Sequence, residues 1–111
     1  MKESYLSKYQ QVGGGGHLSI DLTIAQAKNA VRYIYHCEPS KLRYDLRYPF
    51  LVLFDEWQIP AKEVCQLFGI SQPTHSRHLR LARYHVERQK YLQAAYARIR
   101  AHILYIANTR R

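Results

Sequence analysis

The stretch AKEVCQLFGISQPTHSRHLR, residues 61–80, decides the fold of this chain. It divides into two helical segments separated by Gly69, a residue that suits the left-handed end of a helix. The second segment opens with Ser71 as a favourable N-cap and a proline in its first turn. Cys65 is small enough to lie where the two helices cross. The stretch therefore predicts a helix–turn–helix over residues 61–86.

The second helix of this motif has an apolar face and a basic face. At about 100° per residue, four side chains fall together and should be buried: His75, Leu79, Ala82 and Val86. Side chains on the opposite face and at the start of the helix are of types that contact base edges and phosphates. We predict that the DNA-binding residues are Gln72, Thr74, Ser76, Arg77, Arg80 and Tyr84. An ordinary corner between two helices, with a solvated basic face, is the alternative interpretation.

Helical spacing recurs on the N-terminal side of the motif, and no useful stretch of β-alternation is present. Residues 24–36 fit an amphipathic helix with Thr23 as N-cap and Gln26 reaching back to it. Pro49 suits the first turn of a core helix that ends at residue 57, whereas residues 40–48 fit either a short helix or a loop. The predicted fold class is all-α, a small helical domain with a helix–turn–helix and a long C-terminal amphipathic helix.

The last helix carries a second apolar stripe. Its members recur at spacings of 4, 3, 4 and 3 residues and are Leu92, Tyr96, Ile99, Ile103 and Ile106. On one straight helix this stripe would lie about 100° from the first, so either the chain breaks near residues 87–90 or the tail packs elsewhere. The spacing matches a short coiled-coil seam, which predicts an oligomerisation helix over 90–108 in a homodimer or higher homo-oligomer. Packing onto residues 24–36 of the same chain is the alternative.

Positive charge is concentrated in the C-terminal part of the chain. The net charge is +9. Residues 70–111 contribute nine Lys and Arg against one acidic residue, a net of +8, while residues 1–69 contribute eight against seven, a net of +1. Such a concentration predicts a polyanionic partner, unless it is simply a solvated basic helix. Double-stranded DNA is favoured over a membrane, because a lipid-surface helix needs a continuous bulky apolar face opposite its cations.

The length of 111 residues suits a single domain. We expect a flexible N-terminal arm over residues 1–16, which ends in four glycines, and a helical DNA-binding domain over 17–111. The chain has no apolar run near the roughly 20 residues of a membrane span and no signal-peptide core, so a cytoplasmic location is expected. We predict no enzymatic activity, because no catalytic cluster is visible in the sequence.

The cysteines and histidines fit core positions better than a metal site. No Cys or His pair has a matching second pair at zinc-site spacing, so we predict no metal and no cofactor. Cys65 is expected to be a small buried apolar residue. His75 is expected to be a neutral core histidine, with a pH-sensing role as the alternative.

Two resemblances add to these patterns. GISQPTHSRHLRLAR resembles the recognition-helix region of many bacterial helix–turn–helix regulators, which implies DNA binding alone. The blocks Lys62-Glu-Val-Cys65, Phe68-Gly-Ile70 and Ser76-x-x-Leu79 resemble the Pap-type regulators of fimbrial adhesin operons over residues 47–84. That resemblance implies a small cytoplasmic transcription regulator that binds A·T-rich DNA repeats as an oligomer. The alternatives are the DNA-binding module of a recombination, plasmid-maintenance or phage-maintenance system, and an RNA-binding or adaptor protein.

Overall fold

The structure, a computed structural model, describes the backbone of residues 19–109 and the side chains of residues 19–104. Within that range the chain is all-α, as predicted, and contains no β-strand. Its α-helices are α1 (Ile20–Ala30), α2 (Tyr44–Glu56), α3 (Ala61–Phe68), α4 (Gln72–Arg88) and α5 (Lys90–Thr109). A π-helical turn, Val31–Tyr35, continues α1, and a 3-10 turn, Pro39–Lys41, precedes α2. The predicted flexible arm over 1–16 lies outside the described residues.

Helix α1 begins earlier than the sequence pattern indicated. Its N-cap is Ser19, whose side-chain oxygen accepts the N–H of Leu22 at 3.0 Å. Thr23 lies inside the helix and donates its hydroxyl to the Ser19 carbonyl at 2.9 Å. The predicted capping box of Thr23 and Gln26 was therefore wrong. A threonine within a helix can bond the carbonyl four residues earlier, so residue type alone does not separate a cap from an interior position.

Helix α2 begins at Tyr44, so Pro49 is an interior residue and not the first turn that the sequence predicted. The ambiguous residues 40–48 divide into the end of the 3-10 turn, a short link and the first turns of α2. A proline inside a helix removes one backbone hydrogen bond. The helix persists because its large apolar residues are buried: Phe50 and Leu53 are fully buried, and Phe54 lies with them in the core.

The core forms around α2, which packs against both α4 and α5. The ring of Phe50 lies 6.0 Å from that of Phe54 and 5.9 Å from that of Phe68, measured between centroids. Helix α1 closes the core by packing against α5, and its small residues Ala27 and Ala30 are fully buried in the core. This arrangement leaves one long face of α4 outside the core.

The chain breaks between α4 and α5, as one of the sequence alternatives required. Gln89 is extended, with φ −104° and ψ 120°. The break turns the apolar stripe of α5 towards the chain's own core, where Leu92, Ile99 and Ile103 are 1%, 0% and 0% exposed. These three side chains are therefore buried within the chain itself and are not exposed for the predicted contact between copies.

The other two residues of that stripe have different outcomes. Tyr96 is half-buried, and its hydroxyl donates to the carboxylate of Glu56 on α2. The side chain of Ile106 lies outside the described residues. No helix in the described part of the chain combines the length and hydropathy that a bilayer span requires.

Candidate nucleic-acid interface

The turn between α3 and α4 has the backbone that the sequence predicted. Gly69 is left-handed, with φ 68° and ψ 43°, and the N–H of Ile70 donates to the Cys65 carbonyl at 3.0 Å. Ser71 then caps α4, because its side-chain oxygen accepts the N–H of Thr74 at 3.3 Å. Glycine is favoured at such a C-terminal position because it has no Cβ to clash in the left-handed region. The two helices are thereby joined by a short, fixed connection.

One face of α4 is buried, and it is the face that the helical spacing predicted. Ala82 is 0% exposed, and His75 and Val86 are each 9% exposed, whereas Leu79 is half-buried. Burial lowers the pKa of His75 and so favours the neutral imidazole, as expected of a core histidine. On α3, Cys65 is also buried, and burial raises the pKa of its thiol. Both side chains are therefore buried and uncharged at pH 7.

All but one of the predicted DNA-contact residues on α4 are exposed. Thr74 is half-buried, whereas the other members of the set are exposed: Gln72, Ser76, Arg77, Arg80 and Tyr84. The Thr74 hydroxyl accepts an N–H of Arg77 at 3.3 Å and lies 3.0 Å from the Ser71 hydroxyl. This short chain of hydrogen bonds holds the guanidinium of Arg77 near the first turn of α4.

The arginines of α4 divide into paired and unpaired groups. Arg83 forms an ion pair with Asp55 on α2, and Arg88 pairs with Glu87 at 3.0 Å. Among the described residues, neither Arg77 nor Arg80 forms an ion pair with a carboxylate. These two cations can therefore bind an external anion without breaking an ion pair, although Arg77 also donates to the Thr74 hydroxyl.

The outward face of α4 carries only positive charges in its first turns, and its first acidic residue comes near the C-terminal end. The guanidinium of Arg88 lies 4.0 Å from the centroid of the Tyr84 ring and donates to the Tyr84 carbonyl at 3.0 Å. From Gln72 to Tyr84 the helix has no acidic residue, and Glu87 is the first. The first three turns of α4 thus present an outward surface with positive but no negative side chains.

A neighbouring segment, residues 39–47, also borders α4, and no sequence pattern predicted this contact. The ring of Tyr44, which is 60% exposed, lies 5.0 Å from the imidazole of His78 on α4. At the other end of the segment, the Cβ of Ser40 lies 3.6 Å from the position a Cβ on Gly69 would take. These contacts join residues far apart in sequence, which is why helical periodicity gave no sign of them.

Arg47 holds this neighbouring segment in place from within. It is 4% exposed, and it donates to the carbonyls of Leu42 and Ser40 at 2.9 Å each. Its guanidinium also lies 4.7 Å from the Tyr44 ring centroid and 5.5 Å from that of Phe68. Burial lowers the pKa of Arg47, although arginine remains protonated in proteins. The buried cation thus joins the 3-10 turn to the start of α2.

Two tyrosine–histidine contacts fasten α4 to α2 along this side. Besides the Tyr44–His78 pair, the rings of Tyr48 and His85 stack with centroids 5.7 Å apart and an angle of 3° between their planes. Burial, followed by the charges of Arg47 and Arg77, lowers the pKa of His78. The imidazole of His78 therefore stays neutral at pH 7 and does not add to the charge of the outward face.

Comparisons with protein-family models, with curated proteins and with solved structures found no match for this chain. In the part of the chain that the structure describes, no three His, Cys, Asp or Glu side chains are grouped to hold a metal ion. The function must therefore be inferred from the geometry of α3, α4 and the segment beside them.

Proposed function

We propose that this protein is a DNA-binding transcription regulator that places α4 in the major groove of double-stranded DNA. The observation that carries the proposal is the outward face of α4, where the exposed Arg77 and Arg80 have no carboxylate partner among the described residues. The face belongs to the second helix of a helix–turn–helix whose turn is fixed by Gly69 and Ser71. In such motifs the second helix lies in the major groove.

The chemistry of this face matches that of base edges and phosphates. Arginine makes bidentate hydrogen bonds to guanine, and glutamine can make them to adenine. Hydroxyl side chains such as that of Ser76 donate to phosphates. We infer that one of Arg77 and Arg80 contacts a base and the other mainly a phosphate, since both project from the same exposed face.

Duplex DNA fits this surface better than double-stranded RNA. The major groove of B-form DNA admits an α-helix, whereas that of an RNA duplex is deep and too narrow for side chains to read. Sequence-specific RNA binding relies on exposed aromatic platforms for unstacked bases. Tyr84, the aromatic residue of the predicted contact set, is 54% exposed, but the guanidinium of Arg88 lies over one face of its ring. An RNA-binding or adaptor role is therefore the weaker candidate.

We further propose that the protein binds repeated half-sites as an oligomer and regulates an operon of the fimbrial adhesin type. One recognition helix reads few base pairs, so such proteins commonly act as dimers. The resemblance of residues 47–84 to the Pap-type regulators supports the operon type and A·T-rich repeats. Because Leu92, Ile99 and Ile103 are used by the chain's own core, the contact between copies must lie on another surface.

Gel-shift titrations with random duplex DNA and RNA of equal length, repeated across salt concentration, test the proposal. We expect tighter binding to the DNA duplex, with log affinity falling linearly with log salt. Selection of bound sequences from a random DNA pool should return a repeated half-site. Arg77→Ala and Arg80→Ala should each weaken binding, while Arg98→Ala, which removes an exposed charge from α5, should have little effect. Equal affinity for RNA, or no effect of both α4 variants, would overturn the proposal.

A further inference from the structure

The segment beside α4 carries exposed polar side chains that do not belong to the predicted contact set on α4. It consists of residues 39–47, namely the 3-10 turn Pro39–Lys41, the two linking residues and the first turn of α2, and we call it the flank. Arg47 fixes it internally by bonding two of its carbonyls, so its surface is held in one position. The flank contacts α4 at one end through Tyr44 and His78, and it approaches the turn at the other through Ser40 and Gly69.

The exposed side chains of the flank are suited to an anion. Lys41 is exposed and forms no ion pair with a carboxylate among the described residues. Arg43 is different, since its guanidinium pairs with Asp45 at 2.8 Å. The Asp45 carboxylate is also occupied by the hydroxyl of Tyr91 at 2.9 Å. Of the exposed cations here, Lys41 is therefore the one that is available, and the exposed Tyr44 adds a phenolic hydroxyl next to α4.

The width of the major groove determines which part of the DNA the flank would contact. An α-helix with its side chains is about 10–12 Å across, and the major groove is about 12 Å wide. An element packed against the side of an inserted helix is therefore brought to the phosphates that border the groove. Tyr44 reaches α4 at His78, one residue from Arg77, so it lies beside the part of α4 that the proposed function places in the groove.

We propose that the flank is a second DNA-binding surface, in which Lys41 and the hydroxyl of Tyr44 contact phosphates of the strand alongside the inserted α4. This inference rests on the proposed function, and it adds a site that carries affinity without sequence preference. Hydrogen bonds from lysine and tyrosine to phosphate oxygens fix the register of a protein on DNA but do not distinguish bases. Arg47 acts as a positioning residue for this surface, because it holds the backbone on either side of Lys41.

The test measures duplex binding by four single variants across salt concentration. Tyr44→Phe removes the hydroxyl and keeps the ring against His78. We expect affinity to fall about two- to tenfold for every duplex sequence, the range of one hydrogen bond, with the salt slope unchanged. Lys41→Ala should also weaken all sequences alike and should lower the salt slope by about one, because one phosphate contact is lost.

Two variants provide matched controls. Tyr33 is 70% exposed and its ring lies 5.6 Å from that of His102, so Tyr33→Phe removes the same hydroxyl from a tyrosine–histidine pair away from α4. Arg98→Ala removes one exposed charge from α5. Both should leave affinity and salt slope nearly unchanged.

The outcomes separate the two proposals. If Arg77→Ala and Arg80→Ala weaken binding while Tyr44→Phe and Lys41→Ala match their controls, the flank does not touch DNA and the proposed function stands. If the unaltered protein does not bind duplex DNA, both are overturned. If the flank variants weaken binding to one sequence only, the contact is to a base and the phosphate assignment is wrong.

Discussion

The guanidinium of Arg83 donates to the carboxylate of Asp55, and this contact joins the side of α4 to α2. Both side chains are partly exposed, at 55% and 39%. An ion pair in that setting contributes little to stability, about 0–1 kcal/mol. Its larger consequence is electrostatic, because Asp55 neutralises one cation on the helix that we propose enters the groove.

Asp55→Asn should therefore strengthen DNA binding with little effect on stability. The substitution removes a negative charge beside α4 and releases Arg83 to meet a phosphate, so the salt dependence of binding should become steeper. Gel-shift titration across salt measures both effects. Asp21→Asn is the control, since Asp21 is an exposed carboxylate in the first turn of α1. If both variants raise affinity equally, only net charge matters and the Arg83–Asp55 pair has no specific role.

Replacement of Gly69 should destabilise the protein through backbone strain. Its φ of 68° is unfavourable for residues with a Cβ, at a cost of about 1–2 kcal/mol. Space is not the obstacle, because an added Cβ would meet the Ser40 Cβ at an ordinary 3.6 Å. Gly69→Ala should therefore lower the free energy of unfolding by about that amount in denaturant titrations. Gly69→Asn should cost less, because asparagine tolerates the left-handed region, and equal losses would contradict this explanation.

Acid should weaken the fold before the carboxylates begin to titrate. Burial lowers the pKa of His75, His78 and His102 below their usual 6.5. The unfolded chain therefore binds protons that the folded chain does not bind as pH falls through 6.5, and stability decreases in that range. The free energy of unfolding should be lower at pH 5.5 than at pH 7.5, and His75→Gln should reduce the difference. An unchanged stability between these two pH values would contradict the prediction.

The helix–turn–helix was predictable because its signals are local. Gly69 and Ser71 determine the end of α3 and the start of α4 through contacts within a few residues, and helical spacing separates the faces of α4. The start of α2 was not predictable in this way. Pro49 is favoured at a helix start by local preference, and burial of residues such as Phe50 overrides that preference.

The flank and the position of α5 depend on tertiary contacts. Arg47 gave no sequence signal because its partners are backbone carbonyls and aromatic rings. The spacing of Leu92, Ile99 and Ile103 correctly indicated an apolar face, but the same spacing suits a second copy and a neighbouring helix of the same chain. The break at Gln89 decides between them, since it sets the direction in which that face points.

Truncation of the α5 stripe should therefore destabilise the protein and should not simply separate copies. Ile99 is 0% exposed and lies in the core with Phe50 and Phe54. Replacement of such a side chain by alanine costs about 2–5 kcal/mol, which includes the loss of buried surface and the cavity left behind. Ile99→Ala should lower the free energy of unfolding by that amount in denaturant titrations. The control is Ile20→Ala, which shortens an isoleucine that is 40% exposed at the start of α1 and should cost far less. Light scattering on the folded protein should give the same oligomeric state for both variants and for the unaltered chain. A stable Ile99→Ala protein that changes from oligomer to monomer would instead show that this side chain faces a second copy.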